Sequence, residues 1–260
     1  MDMSLADKRA LVCGASRGIG RAAAVALAGL GARVTLVARD SEALEAAVAD
    51  LPGDRQEHAG VVADLGEPES VDRLVEAVRA RGPVHVLVNN SGGPPGGPAL
   101  AAEAGQFSAA FRQHLLASHA LVRQFVPDMR REGYGRIIQI ISTSVREPIP
   151  GLGVSNTIRG AMAGWSKTLA GELGGQGITV NNVLPGFTAT ERLDYFFKMQ
   201  AEKSGRSTED VESLALQRIP AGRFARPEEV GAAIGFLASP AAAYINGINL
   251  PVDGGLMRSI

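Results

Sequence analysis

The chain has a single cysteine, Cys13, among 260 residues. One thiol excludes an internal disulfide and any metal site built on a cysteine cluster, and it fits a reducing compartment. Aromatic residues are also scarce, at 5%, and the only tyrosines are Tyr134, Tyr195 and Tyr244. Charge of either sign is not in surplus: 26 Lys and Arg face 27 Asp and Glu, for a net charge of -1. Phosphate binding usually leaves a basic excess or stripe, so nucleic acid is not expected as a partner. No apolar run is long enough to span a membrane. The opening "MDMSLADKRALVCG" has an early acid and no apolar core of the signal-peptide kind. The expectation is a cytoplasmic protein without a metal or membrane partner.

Short apolar runs alternate with alanine-rich helical stretches. Strands are expected at 9–14, 33–38, 60–65, 84–90, 135–142, 178–186 and 248–255. Helices are expected at 18–31, at 41–51 with Ser41 as N-cap, at about 68–81 and 103–131, at 154–174, and at 227–239 opened by Pro227. Continuous Val/Ile/Leu strands between helices indicate a parallel sheet covered on both faces. The pattern is thus a single α/β domain of the Rossmann-type, doubly wound kind, with seven strands. The polar segment from about 187 to 222 interrupts the alternation and is read as a lid over a site at the carboxyl edge of the sheet. Its "YFFKMQ" suggests either an apolar substrate contact or ordinary helix packing.

"CGASRGIG" (13–20) sits between the first strand and the first helix, with glycines spaced G-x3-G-x-G. Glycines allow a tight turn and a close backbone approach, and the helix N-terminus then offers free N–H groups to a pyrophosphate. A glycine turn has steric uses of its own, but its position at the first strand-to-helix turn favours a dinucleotide site.

The segments "GASRGIG" (14–20), "NNSG" (89–92), "GRIIQIIS" (135–142), "VNNVLPGFTAT" (180–190), "GRFARPEEVGAAIGFLAS" (222–239) and "INGINLPVDGG" (245–255) follow one another over nearly the whole chain. In order and spacing they resemble the short-chain dehydrogenase/reductase family, most closely its 3-oxoacyl-ACP reductase branch. The resemblance implies strand order 3-2-1-4-5-6-7 and a homotetramer, or a homodimer, built on the two long helices. It implies a nicotinamide cofactor held by Gly14, Ser16, Gly18, Ile19 and Gly20 on the diphosphate side. Asp64 and Leu65 would meet the adenine, Asn90 and Gly92 the ribose, and Pro185, Gly186 and Thr190 the nicotinamide and phosphates. Where NAD-preferring relatives carry an acid, this chain has Ala38, while Arg17 and Arg39 suit a 2′-phosphate. NADP(H) is therefore favoured over NAD(H).

The same resemblance marks where the chain departs. Ser142 matches the family serine that polarises the substrate oxygen. Thirteen residues on, Ser155 stands in place of the tyrosine that gives the proton, and four further Arg159 replaces its lysine. The i,i+4 spacing keeps the pair on one helix face. His114 falls where an asparagine supports a water chain, and Cys13 and Ser91 replace a threonine and an alanine. Neither Tyr134 nor Tyr244 reaches the tyrosine's place by a shift of register. Arg159 keeps a charge and can bond ribose hydroxyls but cannot relay a proton. Ser155 is a poor acid. His114, expected to titrate near neutrality, Tyr195 on the lid, or a water are the remaining donors. A Ser–His hydrolase is disfavoured, because "GVSNT" lacks the second glycine of a nucleophile elbow.

The first expectation is an NADP(H)-dependent oxidoreductase acting on a small carbonyl or acyl substrate. The rival is a cofactor-binding protein with little or no turnover, acting as a sensor or partner subunit. A different reaction, such as dehydration, on the same scaffold is a third.

Overall fold

The computed structural model describes residues 1–53 and 57–259. The apolar runs form β1 (Arg9–Cys13), β2 (Arg33–Ala38), β3 (Ala59–Val62), β4 (Val86–Asn89), β5 (Gly135–Ile140), β6 (Ile178–Pro185) and β7 (Asn249–Val252). They make one sheet in the order β3-β2-β1-β4-β5-β6-β7, every neighbouring pair parallel, as expected. The helices are α1 (Gly18–Gly29), α2 (Ser41–Ala49), α3 (Pro68–Arg79), α4 (Ala104–Phe111), α5 (Ala117–Glu132), α6 (Gly153–Leu173), α7 (Glu191–Ser204), α8 (Thr208–Gln217) and α9 (Pro227–Ala238). Among the described residues, no helix is long and apolar enough to cross a membrane.

Successive strand residues point to opposite faces, and both faces are covered. Ala10, Val12, Leu36, Val88 and Ile138 pack on one side with Leu27 of α1, Leu44 of α2 and Ile234 of α9. Leu11, Leu87 and Ile137 pack on the other with Leu74 of α3, Leu121 and Phe125 of α5 and Leu173 of α6. Burial on both faces explains why the strands read as continuous apolar runs. At the amino edge of β5, the Tyr134 hydroxyl donates to the Ala238 carbonyl at 2.5 Å, with the Arg136 guanidinium 4.1 Å from its ring centroid. Tyr134 thus belongs to the foundation of the sheet, at the opposite end from the glycine turn.

Several boundaries differ from the sequence expectation, each for a local reason. The third strand stops at Val62 and the seventh at Val252, so Asp64 lies in a turn, where its Oδ1 accepts from the Gly66 N–H at 2.8 Å. Asp40, not Ser41, caps α2: its Oδ1 accepts from the Ala43 N–H at 3.1 Å, leaving Ser41 as the first helical residue. The helical region from 103 to 131 is not one α-helix. A π-helical turn, Arg112–Leu116, separates α4 from α5. The lid segment folds into α7 and α8. Its phenylalanines satisfy one another: Phe197 is buried, with its ring centroid 5.9 Å from Phe187 and Phe196 and 5.4 Å from Phe224. Ordinary packing therefore accounts for Phe196 and Phe197.

The cap assignment has a direct test. Asp40→Ala is expected to cost about 1 kcal/mol of unfolding free energy, whereas Ser41→Ala should stay within about 0.5 kcal/mol of the parent. Urea titrations of the two variants decide it, and equal losses would contradict the Asp40 cap.

Candidate active site

Strand order reverses direction between β1 and β4, which leaves a crevice beyond their carboxyl ends. The glycine turn fills one wall of it. Gly14 has φ +58°, and a Cβ there would stand 2.8 Å from the Asn90 amide and carbonyl. At Gly20 a Cβ would stand 2.1 Å from the Gly14 carbonyl oxygen. The Asn90 Nδ2 donates to that same carbonyl at 3.1 Å, joining the ends of β1 and β4. Arg17, the N-cap of α1, has extended backbone and makes no side-chain cap, so no side chain of the cap covers the first-turn N–H groups that follow it. These are the features a diphosphate requires: a cradle too narrow for side chains and an open helix N-terminus. Ile19 leans on the core, and Ser16 remains partly open to the crevice.

The other expected cofactor residues come from neighbouring strand ends. Pro185 closes β6, the Gly186 N–H donates to the Val252 carbonyl at 3.0 Å, and Thr190 begins α7 beside Gly18. The Gln113 amide donates to the Gly92 carbonyl at 3.4 Å. Arg39 and Arg17 are both exposed, but each already faces an acid. Arg39 is 3.8 Å from Asp64, and Arg17 pairs with Glu191 of α7 at 2.6 Å. Arg17 therefore ties the glycine turn to the lid, and Arg39 stands with Ala38 and Asp64 at the end of β2. Cys13, buried at the end of β1, has its thiol pushed up to about 12 by burial and is chemically inert.

The catalytic candidates lie beyond β4 and β5. The Ser142 Oγ accepts from the Ser144 N–H at 3.1 Å, so its own hydrogen is left free to donate. Ser155 is half-buried in the first turn of α6. Arg159, one turn on, is buried and donates from Nη1 to the Ile140 carbonyl at 2.8 Å. Burial first, and the Arg192 cation second, lower its pKa to about 10, so it remains charged at neutral pH. His114, carried by the π turn, is also buried, and its Nδ1 lies 2.6 Å from the Ser91 Oγ. Its Nε2 has no hydrogen-bond partner among the described residues. His114, Arg159, Asn89, Asn90, Ser91 and Leu65 line one small cavity. The structure thus brings His114 and Arg159 to one cavity, while Tyr195, outside its lining and 48% exposed, lies beneath the Arg192 guanidinium at 5.3 Å. Arg192 in turn donates to the Pro94 carbonyl at 3.0 Å, holding the lid against the loop after β4.

The expectation that His114 titrates near neutrality is overturned. Desolvation in the cavity, and then the Arg159 charge, lower its pKa from 6.5 to about 3. The ring is neutral throughout the physiological range and cannot act as an imidazolium acid.

Residues 14–257 match a family model described as enoyl-(acyl carrier protein) reductase. The chain belongs to the short-chain dehydrogenase/reductase family. It is 35% identical over 257 residues, 98% of either chain, to a 3-oxoacyl-(acyl-carrier-protein) reductase of Synechocystis. It is similar in structure to the L-sorbose reductase of Gluconobacter frateurii solved with NADPH and L-sorbose, at 33% identity, TM-score 0.93 and full coverage of both chains. An actinorhodin polyketide ketoreductase solved with NADPH is similar at 32% identity and TM-score 0.91, over 97% of this chain and 98% of that one. These short-chain dehydrogenases/reductases are oxidoreductases, and this chain is one by family.

Two features escaped sequence reasoning. The π turn leaves no composition signal, because its residues would suit an α-helix. The Ser91–His114 contact joins positions 23 residues apart in the chain; the signal for it was that both depart from the family pattern.

The neutral state of His114 has a consequence for acid stability. The unfolded chain protonates this histidine below its ordinary 6.5, and the folded chain only near 3. Stability is fully present above pH 6.5 and is lost as pH falls toward 3, by up to about 1.4 kcal/mol per pH unit. His114→Gln is expected to flatten the fall of the urea midpoint between pH 6 and pH 4. An unchanged slope would show that the ring is not held neutral.

Proposed function

We propose that the chain is an NADP(H)-dependent oxidoreductase that interconverts a ketone and a secondary alcohol, in the manner of 3-oxoacyl-ACP reductases. The observation that carries this reading is the cradle formed by Gly14, Gly20 and Asn90 beneath the open N-terminus of α1. NADP(H) rather than NAD(H) is supported by Ala38, which offers no acid to a ribose diol, and by exposed Arg39 beside it. The NADPH in the sorbose reductase and ketoreductase structures supports the same choice. A bound nicotinamide would supply or accept the hydride. Ser142 would donate its free hydrogen to the substrate oxygen, and the remaining N–H groups of Arg159 would hold ribose hydroxyls. Ser155, one turn before Arg159 on α6, carries a hydroxyl far less acidic than a phenol. The substrate would be a small carbonyl or acyl compound admitted between the loop after β4 and the lid. A cytoplasmic homotetramer or homodimer built on α5 and α6 belongs to this reading.

One observation favours a second reading. With Ser155 and Arg159 in place of a tyrosine and a lysine, and with His114 neutral, the site holds no strong acid near neutral pH. A cofactor-binding family member with weak turnover, used as a sensor or partner subunit, fits that arrangement.

Fluorescence titration with NADPH, followed by absorbance assays against ketones and 3-oxoacyl thioesters, separates the two. Turnover supports the enzyme, binding alone supports the second reading, and failure to bind overturns both. Arg39→Ala is expected to weaken NADPH binding about tenfold and to leave NADH binding nearly unchanged. Equal effects on the two cofactors would contradict the NADP(H) preference. Ser155→Tyr combined with Arg159→Lys is expected to raise the reduction rate at least about tenfold by restoring an acidic phenol. A rate unchanged in that variant would mean that proton delivery does not limit the parent.

A further inference from the structure

Two residues that line the cavity between β4, the π turn and α6 carry buried polar atoms without partners among the described residues: His114 at Nε2 and Asn89 at both amide atoms. Asn89 and His114 are 6% and 3% exposed. Arg159 enters the same cavity with one of its N–H groups engaged by Ile140. Buried polar atoms without partners are costly, and a cavity of about 10 Å³ admits about one water. A water there would find a donor in Arg159, both kinds of group in Asn89, and His114 Nε2.

The tautomer of His114 follows from what surrounds it. The Arg159 charge in the same cavity favours the tautomer that keeps a lone pair, not an N–H, on Nε2. The ring proton then lies on Nδ1 and is donated to the Ser91 Oγ at 2.6 Å. A serine oxygen that accepts in this way keeps its own hydrogen for another partner. Ser91 follows the end of β4 by two residues, and Ser142 follows the end of neighbouring β5 by two. Two serines thus follow adjacent strands, Ser142 with its oxygen accepting from the Ser144 N–H and Ser91, with the ring proton on Nδ1, accepting from His114.

We propose that Ser91, oriented by His114 and a single buried water shared with Asn89 and Arg159, is a second hydroxyl donor to the reacting oxygen beside Ser142. The assignment rests on the oxidoreductase reading above. His114 is then a positioning residue: its neutral ring directs the Ser91 hydrogen outward, where negative charge develops on the substrate oxygen. A donor aimed at developing charge acts in the transition state more than in binding. The pair also joins two departures from the family pattern, since an alanine at 91 has no oxygen to meet the ring.

Two measurements test this. The first uses the protein without cofactor: nitrogen-15 NMR of His114 should show a protonated Nδ1 and a bare Nε2 from pH 8 to pH 5. The polar residues that line the cavity with the ring are Asn89, Asn90 and Ser91 at the end of β4, Gln113 of the π turn, Ser118 of α5 and Arg159 of α6, none of which supplies a negative charge. A protonated Nε2 in the wild-type chain overturns the proposal. The second is steady-state reduction with NADPH. Ser91→Ala should lower kcat about a hundredfold with KM within about twofold, while Ser91→Thr, which keeps the hydroxyl, should recover most of the rate. His114→Gln, whose amide still donates, should lose less than His114→Leu. Ser91→Ala with kcat within about twofold of wild type overturns the proposal and leaves the oxidoreductase reading standing. Absence of turnover in the wild-type chain overturns that reading and the catalytic role of Ser91 with it, whereas the NMR result still decides the orientation of His114.

Discussion

The site depends on one hydrogen bond between the ends of two adjacent strands. Strands β1 and β4 run side by side, their following segments turn to opposite sides, and the Asn90 amide bridges the gap to the Gly14 carbonyl. That bond sets the distance between the glycine turn and the loop that carries Ser91 and Gly92. It also explains why two glycines are needed around it, since a Cβ at either Gly14 or Gly20 would occupy the space of the bridge. Everything that would touch a dinucleotide is placed relative to it: the open end of α1, the turn holding Asp64, and Thr190 at the start of the lid.

The lid is tied to this frame by arginines. Glu191 meets Arg17 of the glycine turn, and Arg192 reaches the Pro94 carbonyl of the loop after β4. The first is an exposed ion pair and worth little by itself. The phenylalanine cluster around Phe197 gives α7 and α8 a small core of their own. Arg192 further acts on the interior, because its charge and that of buried Arg159 oppose one another.

Much of the fold was legible because parallel strands buried on both faces read as unbroken apolar runs, and helices between them end at glycine or begin at proline. The sheet order was what the family resemblance implied, and the cradle was expected from the position of the glycine turn. Helix caps were harder: Asp40 and Ser41 are both good caps, and only backbone geometry distinguishes them. Within the candidate site, Ser142 and Arg159 were expected from the family resemblance, and the structure places Arg159 in the same cavity as His114. The state of His114 was not legible. Its acidity is set by burial and by a cation 45 positions away in the chain, and neither is a local property of "FRQHLLAS".

The π turn adds a constraint of phase. A regular α-helix advances about 100° per residue, and a π turn accommodates one residue beyond the α-helical count. Deleting a single residue within Arg112–Leu116 would let the region close into an unbroken α-helix. Because the turn already absorbs the extra residue, α4 and α5 would keep their relative phase, and the change would fall on the turn itself, which holds His114 beside Ser91. The cavity is therefore specified by the number of residues in this stretch as well as by their identity, and homologous chains one residue shorter here cannot be aligned to it by sequence type alone.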